Sequence, residues 1–186
     1  MTFTLRLCSM FLALSVLPSQ ADDLLLNISE KARLINSIHG VFTQKRKIFA
    51  LPLPIESSGN YQYKKNEGVQ WRTLYPIESL LLVTSESVLV DGKTSTQPTA
   101  RKFSQIILSV FSGELDALRE QFHVSVKGER TDWRLILVPK TELVAARITC
   151  VHISGSVVTE RVEIYEANKD VILISLSSES ISVLDQ

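Results

Sequence analysis

The stretch SSGNYQYKKNEGVQWRTLYP, residues 57–76, decides the fold, together with the apolar run ESLLLV directly behind it. Two alternating segments, 59–64 and 68–74, flank a polar, glycine-bounded connection, Lys65-Asn66-Glu67-Gly68. That pattern predicts a β-hairpin with a turn of a few residues. Tyr61 and Tyr63 share one face of the first arm, and Val69, Trp71 and Thr73 share one face of the second. Large amphipathic rings on one side of a hairpin predict a sheet whose aromatic face packs on something apolar.

Around this hairpin lie 186 residues, enough for one domain with a real core. The first 21 are expected to stand apart from that core. Arg6, an apolar run over 7–17, then Pro18 and Ser19-Gln20-Ala21 have the order of a cleaved secretory signal, and the run is short for a bilayer span. The mature chain is expected to be a single domain, 22–186. Lys and Arg number 20 against 20 Asp and Glu over the whole chain, a balance that argues against nucleic acid as partner. Beyond residue 21 the only cysteine is Cys150, so no intramolecular disulfide is available. In the run Ile148-Thr149-Cys150-Val151 the thiol is expected as a small buried hydrophobe.

In chain order, Leu24, Leu25, Ile28, Ala32 and Ile35 recur at helical spacing, with Asp22 or Asp23 available as N-cap. The period shifts to two at Ile38, predicting a first long strand towards Ile48. Residues 49–55, FALPLPI, are apolar but carry two prolines, which predicts an extended rim with exposed apolar side chains suited to docking. Strands are expected over 79–84 and 87–91, and a loop over 94–99. Phe103, Ile106, Ile107, Val110 and Phe111 then define an amphipathic helix ended by Gly113. Leu115, Leu118 and Phe122 continue as a short second helix. Strand patterns resume at 124–127, 133–138, 148–153, 157–165 and 171–176. Within 157–165, alternation puts Glu160 on the face of Val158, Val162 and Ile164.

Sites for chemistry are nearly absent. His39, His123 and His152 stand singly, without partners at metal-ligand spacing, and no catalytic residue, metal ligand or cofactor is assigned. The chain contains no HExxH, CxxC or GxSxG and no glycine-rich phosphate loop. An exported, apolar, antiparallel domain without these groups points to binding rather than turnover.

Several segments, in order, resemble the LolA-like family of periplasmic carriers of outer-membrane lipoproteins. An N-terminal helix precedes Ile38-His39-Gly40-Val41-Phe42-Thr43-Gln44, which is similar to the family's apolar-x-small-x-Phe-x-Gln start. Ser58-Gly59, Gln70-Trp71, Tyr75-Pro76 with the run 79–83, the segment 133–139 (WRLILVP) and Val162-Glu163-Ile164 follow in the family's order. The resemblance implies an α+β fold: an open, strongly curved antiparallel sheet (an unclosed barrel) with helices across its concave face. It implies a cavity for acyl chains lined by Phe42, Tyr61, Tyr63, Trp71, Leu81, Phe103, Ile106, Ile107, Val110 and Phe111. Release of cargo by an ABC-type complex of the inner membrane, transfer to an outer-membrane acceptor and a monomeric, non-enzymatic protein of the Gram-negative periplasm are further implications.

The chain departs from the family in three places. Lys65 stands where family members commonly carry an arginine, held to bond the backbone carbonyls of the helical lid, and a lysine lacks the planar bidentate fork. Lys169-Asp170 replaces a Gly-Asp turn, and the double-proline rim is unusual. These departures mark a divergent branch and leave the cargo open between lipoproteins and another acylated lipid of the envelope. A non-catalytic envelope adaptor using the same sheet is a further reading, and an acyl-transfer enzyme built on Cys150 is another. Trp71 and Trp133 are expected to be buried in adjacent parts of the sheet.

Overall fold

The computed structural model describes residues 20–95 and 98–184, the side chains of 98–103 and 105 excepted. Helix α1 (Gln20–Leu34) leads into β1 (Ile35–Lys47), then β2 (Ile55–Lys64), β3 (Gly68–Tyr75), β4 (Ser79–Val83), β5 (Val88–Val90) and β6 (Lys93–Thr94). Helices α2 (Pro98–Ser112) and α3 (Leu115–Gln121) follow, then β7 (Phe122–Glu129), β8 (Asp132–Pro139), the short α4 (Glu142–Ala145), β9 (Ile148–Gly155), β10 (Thr159–Glu166) and β11 (Val171–Val183). The strands form one antiparallel sheet of eleven, in the order β6-β5-β4-β3-β2-β1-β11-β10-β9-β8-β7. The sheet curves without closing, and β6 and β7 stand at its edges. The expected α+β half-barrel is therefore the observed one.

The hairpin register follows the alternation read from the sequence. Tyr61 faces Trp71, Tyr63 faces Val69, and Gly59 faces Thr73. Asn66 (φ 65) and Gly68 (φ 104) take left-handed conformations at the turn, which glycine and asparagine tolerate best. Side chains at Ile38, Phe42, Tyr61, Tyr63, Val69 and Val83 lie on one face and are buried there under the helices. The helices are amphipathic, and α2 sets Ile106, Ile107, Val110 and Phe111 into that core. Gly113 ends α2 at φ 72, and a Cβ there would stand 2.5 Å from the Ser29 carbonyl oxygen of α1. Only glycine lets the two helix ends approach so closely.

Local expectations are corrected at several points, and Phe122, expected in the short second helix, instead opens β7 opposite Pro139. Ile35 belongs to β1, not to the first helix, because its amide and carbonyl enter the ladder with β11 opposite Val183. Asp22 and Asp23 lie in the first turn of α1 rather than before it, where they complement the helix dipole. Strand β10 begins at Thr159, and a register shift between Thr159 and Arg161 turns Glu160 outward, away from buried Val162 and Ile164. A bulge inverts alternation locally, which period-two reading cannot anticipate. The tryptophans are not neighbours: five strands separate β3 from β8, and Trp71 is half-buried while Trp133 is only 4% exposed.

Candidate functional site

The concave face carries a continuous aromatic wall. Phe42 of β1 and Trp71 of β3 have ring centroids 4.0 Å apart, and Tyr61 lies 5.9 Å from Trp71. Phe111 descends from α2 onto this wall, 5.7 Å from Tyr61 and stacked at 5.6 Å on Tyr63. Register explains how the wall is built. Gly40 pairs with both Tyr61 on β2 and Ser178 on β11, and the Tyr61 hydroxyl is within 3.0 Å of Ser178 Oγ. The phenol ring thus crosses over Gly40, where a Cβ would stand 2.2 Å from the Ser177 carbonyl oxygen. A small residue at that point of the first strand is a packing requirement.

Burial pushes the hydroxyls of Tyr61 and Tyr63 above the ordinary tyrosine range, so both stay neutral. The wall is uncharged and apolar at its centre. Among the residues named from the sequence, Phe42, Tyr61, Tyr63, Ile106, Ile107, Val110 and Phe111 are brought together in one buried cluster, with Trp71 and Leu81 half-buried beside it. Phe103 falls on α2, but its side chain lies outside the described ones.

Between α1, the end of α2 and the sheet lies an apolar slot lined by residues including Ile28, Ile38, Val110, Phe111, Leu115 and Leu135. Its free volume is about 20 Å³, room for about one water. The helices are seated on the wall, and beside them a cleft of about 420 Å³ opens between Arg33, Tyr63, Lys65, Leu108 and Glu114. Two ties hold the helices. Ser29 Oγ on α1 donates to the Gly113 carbonyl at 2.6 Å, a buried bond between helix ends. Lys65 Nζ donates to the Arg33 carbonyl in the last turn of α1, also at 2.6 Å. Lys65 therefore reaches a helix carbonyl, but that of α1; the expected partner was the covering helix α2. A cation there satisfies an orphan carbonyl and favours the helix dipole.

At the opposite ends of the strands the wall is uncovered. Along the concave side of β3, Val69 is buried and Trp71 and Thr73 are half-buried; a register shift beyond Thr73 then sets Tyr75, 62% exposed, opposite Ser58. On β2 the series Tyr63, Tyr61, Gly59, Ser57, Ile55 runs from buried to exposed in the same direction. Sequence reasoning named the deep half of this face and missed its open half, although rising polarity from Tyr61 to Ser57 was a signal. Arg46 sits at that open end, 3.1 Å from Glu166 and 3.5 Å from Asp170.

Among the described residues no three His, Cys, Asp or Glu side chains are placed to hold a metal ion. Cys150 is half-buried, not fully buried, and burial raises its thiol pKa, which keeps it a poor nucleophile. His39 and His152, single in the sequence, each meet a carboxylate: Glu179 at 3.3 Å and Glu163 at 3.5 Å.

An unclosed, curved antiparallel sheet whose aromatic concave face is covered by helices defines a class of half-barrels with an apolar inner face. The chain belongs to the LolA family: residues 33–185 match the model of the outer membrane lipoprotein carrier protein LolA. The family is one of periplasmic carriers and binding proteins that sort outer-membrane lipoproteins, and not of enzymes. Among solved structures, a LolA superfamily protein from Nitrosomonas europaea is 12% identical, with a TM-score of 0.48 over 91% of this chain and 96% of that one. A chain of the Pseudomonas aeruginosa MucA/MucB complex is 13% identical, with a TM-score of 0.44 over 90% of this chain and 64% of that one. LprF from Mycobacterium bovis is 13% identical, with a TM-score of 0.40 over 89% and 96%. No curated protein sequence matches the chain significantly. No described helix is long and apolar enough to cross a membrane.

Proposed function

We propose that this chain carries the acyl chains of lipoproteins on its concave face and shuttles them from the inner to the outer membrane. The leader over residues 1–21 is removed on export, and the domain 22–186 works as a periplasmic monomer. An ABC-type complex of the inner membrane loads it and an outer-membrane acceptor unloads it. The observation that carries this reading is the underside of α2 seated on the Phe42–Tyr61–Tyr63–Trp71 wall. An acyl chain in water exposes apolar surface worth about 0.8 kcal/mol per methylene. The slot under the helices holds only about 20 Å³, while the cleft beside Tyr63 and Leu108 holds about 420 Å³, within the range of a ligand pocket. An acyl chain passing from that cleft into the closed slot parts the helices from the wall, and the contacts they lose offset part of the gain. Affinity is thereby held at a level from which cargo can be passed on.

The test is uptake of a fluorescent long-chain fatty acid and of a triacylated lipopeptide. Wild type should take up both. Trp71→Arg, at a half-buried position that tolerates change, should lose uptake while keeping its circular dichroism spectrum. No uptake by wild type, or equal uptake by the variant, would overturn the reading.

A further inference from the structure

Beyond the wall itself, one end of the molecule displays large apolar side chains. Leu53 is 76% exposed and Ile77 78%, and Phe49, Leu51, Tyr75 and Leu143 are also exposed. Strand direction places all of them at the same end, on the β1–β2 loop, the β3–β4 turn and the β8–β9 connection. It is the end at which the concave face is uncovered.

The display is held in place. Asp170, buried in the β10–β11 turn, accepts the Phe49 amide at 2.9 Å, and the Lys169 ammonium stands 4.8 Å from the Phe49 ring centroid. Pro52 and Pro54 stiffen the loop. A loop anchored by a buried carboxylate while its phenylalanine and leucines face outward is built to present them.

Charge and extent indicate what covers them. Lys47, Lys93, Lys140, Arg147 and Lys169 are exposed at this end without a carboxylate partner among the described residues. Among the described residues Asp91, Glu120 and Glu142 are exposed there without a cation, although the whole chain has formal charge +0. The apolar tips extend from β3 to β9, five strand spacings of the sheet order, or about 24 Å along the sheet. A narrow protein groove or hook covers part of such an arc, whereas a membrane surface meets the whole of it. Exposed aromatic and aliphatic tips flanked by lysines are the chemistry of shallow insertion among anionic lipid head groups.

We infer that the loop end of the half-barrel docks directly on an anionic phospholipid surface, so that the open concave face meets the bilayer from which acyl chains leave. The surface stands on its own geometry; its purpose rests on the carrier reading.

The test is flotation of the chain recovered from expressing cells, its N-terminus read by mass spectrometry. The vesicles are phosphatidylethanolamine with phosphatidylglycerol, against phosphatidylcholine alone. Wild type should float with the anionic vesicles, less so at high salt and weakly with phosphatidylcholine. Leu53→Glu with Ile77→Glu, at two well-exposed positions, should weaken anionic-vesicle binding about tenfold. The same variant should keep uptake of the soluble fatty-acid probe. A wild type that floats with no vesicle overturns the inference and assigns the rim to a protein partner. Equal flotation of wild type and variant overturns it too, placing membrane affinity elsewhere in the chain. Flotation without probe uptake would leave the docking surface standing and remove the carrier reading.

Discussion

Trp133 and Trp71 show how position in the sheet sets the value of a side chain. Trp133 is buried and its indole N–H donates to the Ser156 carbonyl at 2.7 Å. Trp71 stacks on Phe42 but keeps part of its surface open where the concave face is uncovered. Replacing Trp133 by alanine should cost about 3–5 kcal/mol, the usual range for a buried aromatic that leaves a cavity. Trp71→Ala should cost clearly less, since its removal leaves an open notch that water can fill. Chemical denaturation of the two variants checks the order. A larger loss at Trp71 would contradict the burial gradient on which the open half of the site depends.

The β10–β11 turn and the β1–β2 loop behave as one clamp. The Phe49 amide, then the Asn168 and Arg46 side chains, hold the Asp170 carboxyl below the usual carboxylate range, outweighing the effect of burial. The folded chain therefore binds that proton less readily than the unfolded chain. The stability this contributes is fully present above the ordinary carboxylate pKa and is lost as pH falls through the lower, folded value. Asp170→Asn should lower the melting temperature at neutral pH and flatten its fall on acidification between about pH 5 and about pH 2. Melting curves across that range check it. A parallel fall in wild type and variant would mean that other carboxylates govern acid unfolding. Lys169 at φ 71 fits the same turn, a conformation glycine would adopt without strain.

For the molecule as a whole, the two ties on α1 decide how readily the helices leave the sheet. Ser29 joins α1 to the end of α2, and Lys65 joins α1 to the β2–β3 hairpin. Each bond contributes about 1 kcal/mol net, and opening would break both. If loading waits for a minor open population, loosening one tie by that amount raises the population about fivefold. Ser29→Ala and Lys65→Ala should each speed association of the fatty-acid probe by about that factor, and Lys65→Arg should not. Stopped-flow fluorescence reads this directly. Rates identical across all four proteins would show that uptake proceeds without displacing α1.

The amino-acid sequence by itself determined the parts whose information is local. Alternation through Tyr61, Tyr63, Val69 and Trp71, with Asn66 and Gly68 at the turn, was enough for the hairpin and its register. The spacing of Ile106, Ile107, Val110 and Phe111 before Gly113 was enough for α2 and its buried face. The prolines of residues 49–55 made an exposed apolar rim legible. Only the tertiary structure decided that Ile35 joins a strand, that a bulge turns Glu160 outward, and that Lys65 ties α1. It alone brought Arg46 and Phe49 to Asp170, more than 120 residues away. Side-chain period reports which face a residue takes within its own strand or helix. The pairing of β1 with β11, which closes the clamp and carries Tyr61 over Gly40 to Ser178, joins the two ends of the chain. Its register comes from the packing of the whole sheet, and no local period encodes it.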